Sequence, residues 1–235
     1  MKILAMTTDG KLTYCSASPE NRGKGRCNHI GHQNENETED EFMKRISKDL
    51  SKQTTVNEED ILNLSEAKKL DMIKNHENLN ILVGDNNWLI RKIVAEQGYG
   101  LEKLIDDRNS DVRAAVARKG YGLDKLINDK NFGVRAAVAE QGYGLDKLID
   151  DEDPDVRIEV ALQGYGLDKL VKDEDRYVRD VVAEKGYGLD ILVNDPDWHV
   201  RRTVARQGYG LEKLINDENS IVRKIANELL NERSK

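Results

Sequence analysis

The chain has 235 residues and a net charge of −7, with 44 acidic and 37 basic side chains. This negative balance opposes non-specific binding to phosphate, so it argues against nucleic acid as the partner. With 34% charged and 5% aromatic residues, the composition favours a thin, extended core over a wide one. No run reaches the roughly 20 apolar residues of a membrane span, and the opening MKILAMTTDG lacks a secretory-signal pattern. The sequence therefore predicts a cytoplasmic protein without a membrane partner.

The first 38 residues form a separate N-terminal segment, because they do not follow the periodic pattern of the rest. Apolar runs on either side of Asp9 and Gly10 predict a small β-hairpin from Lys2 to Ser16. The remainder of the segment is polar and irregular.

Four potential metal ligands lie in this segment: Cys15, Cys27, His29 and His32. Two thiolates and two imidazoles are a donor set that tetrahedral zinc accepts, although the spacing differs from that of a standard zinc finger. One alternative is a pair of reduced thiols with exposed imidazoles in a loop. Another is a nucleophilic Cys27 with His29 or His32 as its base. Zinc is the one cofactor that the sequence indicates, and nothing in it requires a cofactor.

Residues 39–62 predict a helix followed by a polar linker. The apolar residues of this helix share one side: Phe42, Met43, Ile46 and Leu50. Asn57 is predicted to cap the chain's entry into the next helix.

One period dominates the chain from residue 63 onward. Gly-Tyr-Gly recurs every 22 residues, beginning at Gly98, Gly120, Gly142, Gly164, Gly186 and Gly208. Ahead of each triplet an Asp is followed five residues later by Val or Ile and then by Arg. This pattern occurs once more after the last triplet, so it extends from Asp85 to Arg223.

The residues of one period predict a long and a short helix. An Asn or Asp two residues after the period's first Asp suits an N-cap, and Pro154 follows one of these caps at the first helical position. The first glycine of the triplet suits the left-handed residue that ends a helix. The second glycine begins a short helix, in which Leu101, Leu104 and Ile105 have helical spacing.

A unit of 22 residues cannot bury its apolar stripe alone, so neighbouring units must stack. The predicted fold is an all-α solenoid preceded by the small irregular or β-hairpin segment. Residues 63–84 form a degenerate first repeat, residues 85–216 the regular repeats, and residues 217–235 a C-terminal capping helix.

Units such as DEDPDVRIEVALQGYGLDKLV, residues 151–171, resemble the HEAT-like and leucine-rich-repeat-variant families of bacterial α-solenoids. The resemblance covers about residues 63–235. It implies helix pairs stacked into a right-handed superhelix with scaffold or binding roles. Some leucine-rich-repeat variants hold an N-terminal iron–sulfur cluster on four cysteines, whereas this chain has two cysteines.

The residues that recur in every unit are predicted to be structural. Each Arg is expected to bond the Asp of its own or an adjacent turn, forming a ladder, because the acids accompany the arginines at a fixed offset. The tyrosines of the triplets are expected to pack between repeats rather than to stack on nucleic-acid bases.

Partner choice is expected to depend on positions that vary while the frame stays constant. Trp, Tyr, Phe and Arg dominate interface hot spots, and several such residues fall on one face of the long helices. The predicted partner-binding residues are Trp88, Phe132, Ile158, Leu162, Tyr177, Trp198, His199, Arg202 and Arg206. The alternative for Trp88, Phe132 and Trp198 is that they cover the joints between repeats.

These features favour a non-enzymatic scaffold or adaptor that binds a protein partner, with no catalytic residues. A second hypothesis is an acidic inhibitor or mimic, whose Asp-rich edges occupy the basic groove of a nucleic-acid-processing protein. A third is an N-terminal metal-dependent module or small enzyme that the solenoid targets. The sequence predicts no particular oligomeric state.

Overall fold

The computed structural model describes residues 3–6, 12–14, 28–32, 38, 40–42, 44–45 and 58–233. The chain divides into two compact units, Met1–Asn63 and Leu64–Lys235.

The first unit contains a three-stranded antiparallel sheet with the order β2-β1-β3. Its strands are β1 (Ile3–Met6), β2 (Leu12–Tyr14) and β3 (Asn28–His32). Strands β1 and β2 are antiparallel neighbours, as the predicted hairpin from Lys2 to Ser16 requires, with Ala5 opposite Thr13. The sequence did not predict β3, which pairs with the other edge of β1 and places His29 opposite Ala5.

Helical residues follow the sheet in the first unit. Residues 40–42 and 44–45 are helical, and Phe42 is buried. Thr38 and Glu41 form a reciprocal cap: the Thr38 N–H donates to Glu41 Oε2 at 2.9 Å, and the Glu41 N–H donates to Thr38 Oγ1 at 3.3 Å. Helix α1 spans Glu58–Leu62. The other residues of the predicted helix and cap, Met43, Ile46, Leu50 and Asn57, lie outside the described residues.

The second unit alternates long and short helices with the predicted period. The long helices are α2 (Glu66–Lys74), α4 (Trp88–Glu96), α6 (Ser110–Arg118), α8 (Phe132–Glu140), α10 (Pro154–Leu162), α12 (Arg176–Glu184), α14 (Trp198–Arg206) and α16 (Ser220–Arg233). The short helices are α3 (Leu79–Leu82), α5 (Leu101–Leu104), α7 (Leu123–Leu126), α9 (Leu145–Leu148), α11 (Leu167–Leu170), α13 (Leu189–Leu192) and α15 (Leu211–Leu214). Each long helix contacts the next long helix, and each short helix contacts the long helices on either side of it in sequence. This sequential packing is that of an α-solenoid.

The long helices begin where the sequence predicts. The cap side chain accepts a backbone hydrogen bond at Asn87, Asn109, Asp153, Asp175, Asp197 and Asn219. Asn131 is the exception: it has the extended backbone of an N-cap, but its side chain makes no cap hydrogen bond. The prediction of a side-chain cap there is wrong.

Glycine geometry ends the long helices as predicted. After α8, Gly142 has φ +70°, and the Tyr143 N–H donates to the Val138 oxygen at 3.4 Å. This bond satisfies a carbonyl that the last helical turn leaves without a partner. Gly144, with φ +61°, directly precedes α9.

A ladder of mostly buried ion pairs joins neighbouring repeats. Nε and Nη2 of Arg113 donate to the two carboxylate oxygens of Asp129 at 2.6 and 2.8 Å, while Nη1 donates to the Asp107 backbone oxygen at 2.7 Å. Asp129 also accepts the N–H of Asn131 at 2.9 Å. The same arrangement links Arg91 to Asp107, Arg135 to Asp151, Arg157 to Asp173, Arg179 to Asp195, and Arg201 to Asp217. The predicted ladder is confirmed, and it takes the form that connects adjacent repeats.

The degenerate first repeat supplies a lysine in place of the arginine. Nζ of Lys69 lies 2.6 Å from Oδ2 of Asp85, and both side chains are buried. The ladder therefore starts one repeat before the first Gly-Tyr-Gly.

The ladder predicts how stability depends on pH. Burial raises the pKa of Asp107, Asp129, Asp151 and Asp217, but hydrogen bonds from the paired arginine and from a backbone N–H outweigh this effect. Each pKa therefore lies below its usual value, and the unfolded chain binds more protons than the folded chain in acid. The contribution of the ladder to the free energy of unfolding should be constant above about pH 5 and fall as pH is lowered through about 4. Urea unfolding at several pH values measures this.

A variant that lacks one Arg–Asp pair of the ladder provides the control for this pH dependence. Replacing Arg135 by Met and Asp151 by Leu removes one carboxylate whose pKa is lowered, so the loss of stability in acid should be shallower. An unchanged slope would mean that the ladder carboxylates are not the groups that take up protons.

No helix in the part of the chain that the structure describes is long and apolar enough to cross a bilayer.

Candidate interaction surface

The predicted partner-binding residues lie on five long helices. Trp88 on α4, Phe132 on α8, and Leu162 on α10 are exposed, while Ile158 on α10 is half-buried. The other five residues lie on α12 and α14: Tyr177, Trp198, His199, Arg202 and Arg206. Helix α6 lies between Trp88 and Phe132 in sequence, and α10 lies between Phe132 and the last group. Trp88 and Phe132 therefore belong to repeats separate from that group.

Three of these residues form a stack on α14. The rings of Trp198 and His199 lie 3.7 Å apart between centroids, with an angle of 29° between their planes. Cζ of Arg202 lies 5.6 Å from the centroid of the Trp198 ring, within the range of a cation–π interaction. All three side chains are half-buried, so they pack against the array and still present an edge to solvent.

Arg176 connects this stack to the preceding repeat. Its Cζ lies 4.2 Å from the centroid of the Tyr177 ring, and its Nη2 donates to the Tyr177 hydroxyl at 2.7 Å. Its Nη1 lies beside Nδ1 of His199 and 3.5 Å from Oδ1 of Asp197. We name the connected group the aromatic–arginine cluster; it consists of Arg176, Tyr177, Asp197, Trp198, His199 and Arg202.

The sequence prediction of partner-binding residues omitted Arg176 and Asp197. Arg176 occupies the same first helical position as Trp88 and Trp198, so its variable position was the available signal. Asp197 was recognised as the N-cap of α14, and its second role toward the His199 ring depends on the fold.

Asp197 fixes the histidine ring. Its Oδ1 accepts the backbone N–H of His199 at 2.8 Å and lies 2.8 Å from the ring nitrogen Nδ1. Burial raises the pKa of Asp197, but the two contacts with His199 and the charge of Arg176 outweigh burial, so this pKa lies below its usual value. A protonated Nδ1 donates to Asp197, and an unprotonated Nδ1 accepts from Arg176. In either form the ring is held against Trp198.

Two buried side-chain atoms on α12 and α14 have no hydrogen-bond partner in the described part of the chain. They are Oδ1 of Asp180 on α12 and Nε of Arg202 on α14. Both residues occupy the fifth position of their helices, so they belong to the same face. A buried polar group without a partner costs about 1–3 kcal/mol, which a bound molecule offering suitable donors and acceptors could recover.

The acidic edges do not form the continuous acidic row that an occupant of a basic nucleic-acid-binding groove would need. Asp151 and Asp173 are held in the ladder by Arg135 and Arg157. Glu152 and Glu174, which directly follow these aspartates, have side chains exposed at 88% and 89%. Two repeats before Glu152 the same position holds Arg108, and two repeats before Glu174 it holds Lys130. The edge therefore changes sign along the array instead of presenting a continuous acidic row.

The triplet tyrosines are less enclosed than predicted. Each is exposed at 41–42%, at Tyr99, Tyr121, Tyr143, Tyr165, Tyr187 and Tyr209. Ring-to-ring contacts among them are absent from the described residues, so they do not form a stacked ladder.

The proposed zinc ligands fall on the part of the chain without described side chains. Cys15 and Cys27 lie outside the described residues, and for His29 and His32 the structure describes only their place in β3. Elsewhere, in the described part of the chain, no three His, Cys, Asp or Glu side chains are grouped to hold a metal ion. The zinc site stays a prediction.

Comparison with models of known protein families gave no match to the chain. A search of curated proteins also gave no match. The assignment to the HEAT-like and leucine-rich-repeat-variant families therefore stays a prediction based on the resemblance of the repeats.

Proposed function

We propose that the protein is a non-enzymatic scaffold or adaptor of the cytoplasm that binds a protein partner through the variable face of its long helices. The aromatic–arginine cluster is the main contact in this proposal. The observation that carries it is the continuous contact from Tyr177 through Arg176 to His199, Trp198 and Arg202 across two adjacent repeats.

The geometry of the cluster suits a protein ligand. Ordered aromatic side chains lose little conformational entropy on binding, and arginine adds directional donors. Tyr177 is exposed at 55%, and Trp198 remains half-buried, so the cluster combines an accessible surface with a supported base. Arg206, exposed one turn after Arg202, extends the surface along α14.

Trp198→Ala and Arg202→Ala should each weaken partner binding by more than about tenfold while the helical content stays unchanged. The reason is that both changes remove half-buried contact groups without opening the repeat core. The partner is first captured on the immobilised full chain and identified by mass spectrometry. Its affinity for each purified variant is then measured by calorimetry, with circular dichroism as the test of folding.

Trp88→Ala is the matched control: Trp88 is a candidate from the sequence and occupies the equivalent helical position on α4, but it lies outside the cluster, to which this proposal assigns the main contact. It should leave the affinity within about twofold of the unsubstituted protein. The proposal is wrong if Trp198→Ala retains full affinity, or if Trp198→Ala and Trp88→Ala weaken binding equally.

Salt dependence separates this proposal from acidic mimicry. An interface centred on aromatic rings should lose little affinity between low and physiological salt, since its charges are partly desolvated. A mimic that fills a basic groove would lose affinity steeply. The pairing of Asp151 and Asp173 within the ladder supports the scaffold over the mimic.

A further inference from the structure

Six equivalent tyrosines lie along one edge of the solenoid. Each occupies the same place in its repeat, between the two glycines of the triplet, and each is exposed at 41–42%. In the described part of the chain their hydroxyl groups have no hydrogen-bond partner. Every repeat therefore offers a ligand the apolar face of a ring and a free O–H donor. We name this set the tyrosine row: Tyr99, Tyr121, Tyr143, Tyr165, Tyr187 and Tyr209.

The backbone holds each tyrosine of the row in place although its ring is exposed. Gly142 and Gly144, with φ +70° and +61°, fix the chain on either side of Tyr143. The Tyr143 N–H donates to the Val138 oxygen at 3.4 Å, and the same bond recurs in the other five triplets at 3.2–3.4 Å. An ordered backbone lowers the entropy cost of binding a ligand at this surface.

An exposed carboxylate follows each tyrosine of the row by three residues. In the described residues these carboxylates form no ion pair. The lysine beside them is engaged elsewhere: Nζ of Lys125 lies 2.5 Å from Oδ1 of Asp106, in the preceding repeat. Three residues of chain span at most about 11 Å, so each carboxylate is close to its tyrosine. We name this set the row carboxylates: Glu102, Asp124, Asp146, Asp168, Asp190 and Glu212.

The charge along the row favours a cationic ligand, most of all at the centre. Glutamine precedes the two central triplets, at Gln141 and Gln163, whereas lysine precedes the triplet on either side of this pair. The carboxylates beside Tyr143 and Tyr165 are therefore the least opposed by neighbouring positive charge. A basic segment is the complementary partner for this edge.

The repeat spacing selects the conformation of an extended ligand. Packed helices lie about 8–10 Å apart, so successive tyrosines of the row have about this spacing. An α-helix places equivalent side chains about 5.4 or 10.5 Å apart, and a β-strand places them about 6.6 Å apart. A polyproline II segment repeats every third residue, which corresponds to about 9.3 Å. Only the polyproline II period falls within the range set by the packed helices.

We propose that the tyrosine row binds a proline-rich, basic segment of a partner protein in the polyproline II conformation, with one ligand triplet on each repeat. Proline rings pack on the tyrosine rings, since aromatic-lined surfaces suit such segments. A polyproline II segment has no internal hydrogen bonds, so its carbonyl oxygens accept from the free hydroxyls. One Arg or Lys in each triplet meets a row carboxylate. This surface includes no residue of the aromatic–arginine cluster.

The probe is a fluorescein-labelled peptide of six Pro-Pro-Arg triplets, and its binding to the full chain is measured by fluorescence anisotropy. It should bind saturably, and a peptide of three triplets should bind at least about tenfold more weakly because it spans fewer repeats. Six Gly-Ser-Arg triplets keep the charge in a flexible chain, and six Pro-Pro-Glu triplets keep the conformation with the opposite charge. Both control peptides should bind at least about tenfold more weakly than the probe.

Substitutions in the row test where the probe binds. Tyr143→Ala combined with Tyr165→Ala should weaken its binding by at least about tenfold, because both changes remove rings from the centre of the row. The matched control is Tyr177→Ala, which removes a more exposed tyrosine outside the row and should leave the affinity for the probe unchanged. Circular dichroism verifies that each variant remains folded.

Substitutions of the row carboxylates test the same site without removing a ring, so their outcome does not depend on whether the alanine variant folds. Asp146→Asn combined with Asp168→Asn should weaken binding of the probe by about fivefold. Asp111→Asn combined with Asp155→Asn removes the same charge from exposed positions of the long helices. This control should change the affinity by less than about twofold.

Four results would each overturn the proposal: no saturable binding of the probe, equal binding of the Gly-Ser-Arg peptide, equal affinity for three and six triplets, or full affinity in the carboxylate variant. An equal loss in Tyr177→Ala would overturn it as well, because the probe would then bind the aromatic–arginine cluster. Trp198→Ala should bind the probe normally. The tyrosine row and the cluster can therefore fail independently.

Discussion

Arg157→Ala should lower the free energy of unfolding by about 3–5 kcal/mol, because it removes one partner of a buried ion pair. The Arg157 and Asp173 side chains are exposed at 8% and 7%, and Nε and Nη2 of the arginine donate to the carboxylate at 2.8 and 2.9 Å. Nη1 also donates to the backbone oxygen of Asp151 at 2.8 Å. The substitution removes the arginine from the carboxylate and from this carbonyl, so the buried carboxylate keeps only the N–H of Asp175, at 2.9 Å. Urea unfolding followed by circular dichroism measures the loss.

Two variants separate the loss of the pair from the loss of charge. Arg206→Ala removes an exposed arginine and should change stability by less than about 0.5 kcal/mol. Replacing Arg157 by Met together with Asp173 by Leu should recover most of the loss, since no charge then stays buried alone. If Arg157→Ala changes stability no more than Arg206→Ala, the ladder does not hold the repeats together.

The effect on stability also depends on where in the array the Arg–Asp pair lies. Each repeat contacts only its neighbours in the described solenoid, so a weakened central joint reduces cooperativity between the two halves of the array. Arg223→Ala provides the comparison at the end of the series, where no following aspartate is bound. It should destabilise the protein less than Arg157→Ala does, because it leaves no buried carboxylate behind.

The repeat frame could be predicted because local chemistry determines it. Within a helix, proline is tolerated only in the first turn, so Pro154 marks a helix start, and the first glycine of each triplet suits the left-handed residue that ends a helix. The Asp–Arg spacing likewise predicted a ladder. Whether Arg113 binds the aspartate of its own repeat or Asp129 sixteen residues later depends on how the helices stack. That distance is a property of the packed array, so the sequence left both possibilities open.

The candidate surface could be predicted only in part, for a similar reason. The variable aromatic and arginine positions were evident, but the bridging role of Arg176 requires Tyr177 and His199 to approach from two different repeats. Strand β3 escaped prediction because it has no alternating apolar pattern. Its pairing joins His29 to Ala5, which are far apart in the chain.

Gly144→Ala should destabilise the protein by about 2–4 kcal/mol, more than Gly142→Ala, for which we expect about 1 kcal/mol. Both glycines have positive φ, +61° and +70°, so any other residue is strained at either position. A Cβ at Gly142 would meet nothing within 4 Å, whereas a Cβ at Gly144 would lie 2.2 Å from Cδ1 of Ile127. The difference between the two variants thus reports the close approach of one repeat to the next. Urea unfolding of both variants measures it.

A second substitution can isolate the steric part of this effect. Ile127→Val removes the methyl group that a Cβ at Gly144 would strike, at a cost of about 0.5–1.5 kcal/mol on its own. Combined with Gly144→Ala it should cause less than the sum of the two separate losses, because the collision becomes less severe while the backbone strain remains. The array itself shows by how much: Gly100, Gly188 and Gly210 face Val83, Val171 and Val193, and a Cβ there would lie 2.5–2.6 Å from the nearest methyl carbon, farther than the 2.2 Å at Gly144 but still closer than van der Waals contact. Additive losses, or equal losses at Gly142 and Gly144, would show that the second glycine is needed for its backbone angle alone.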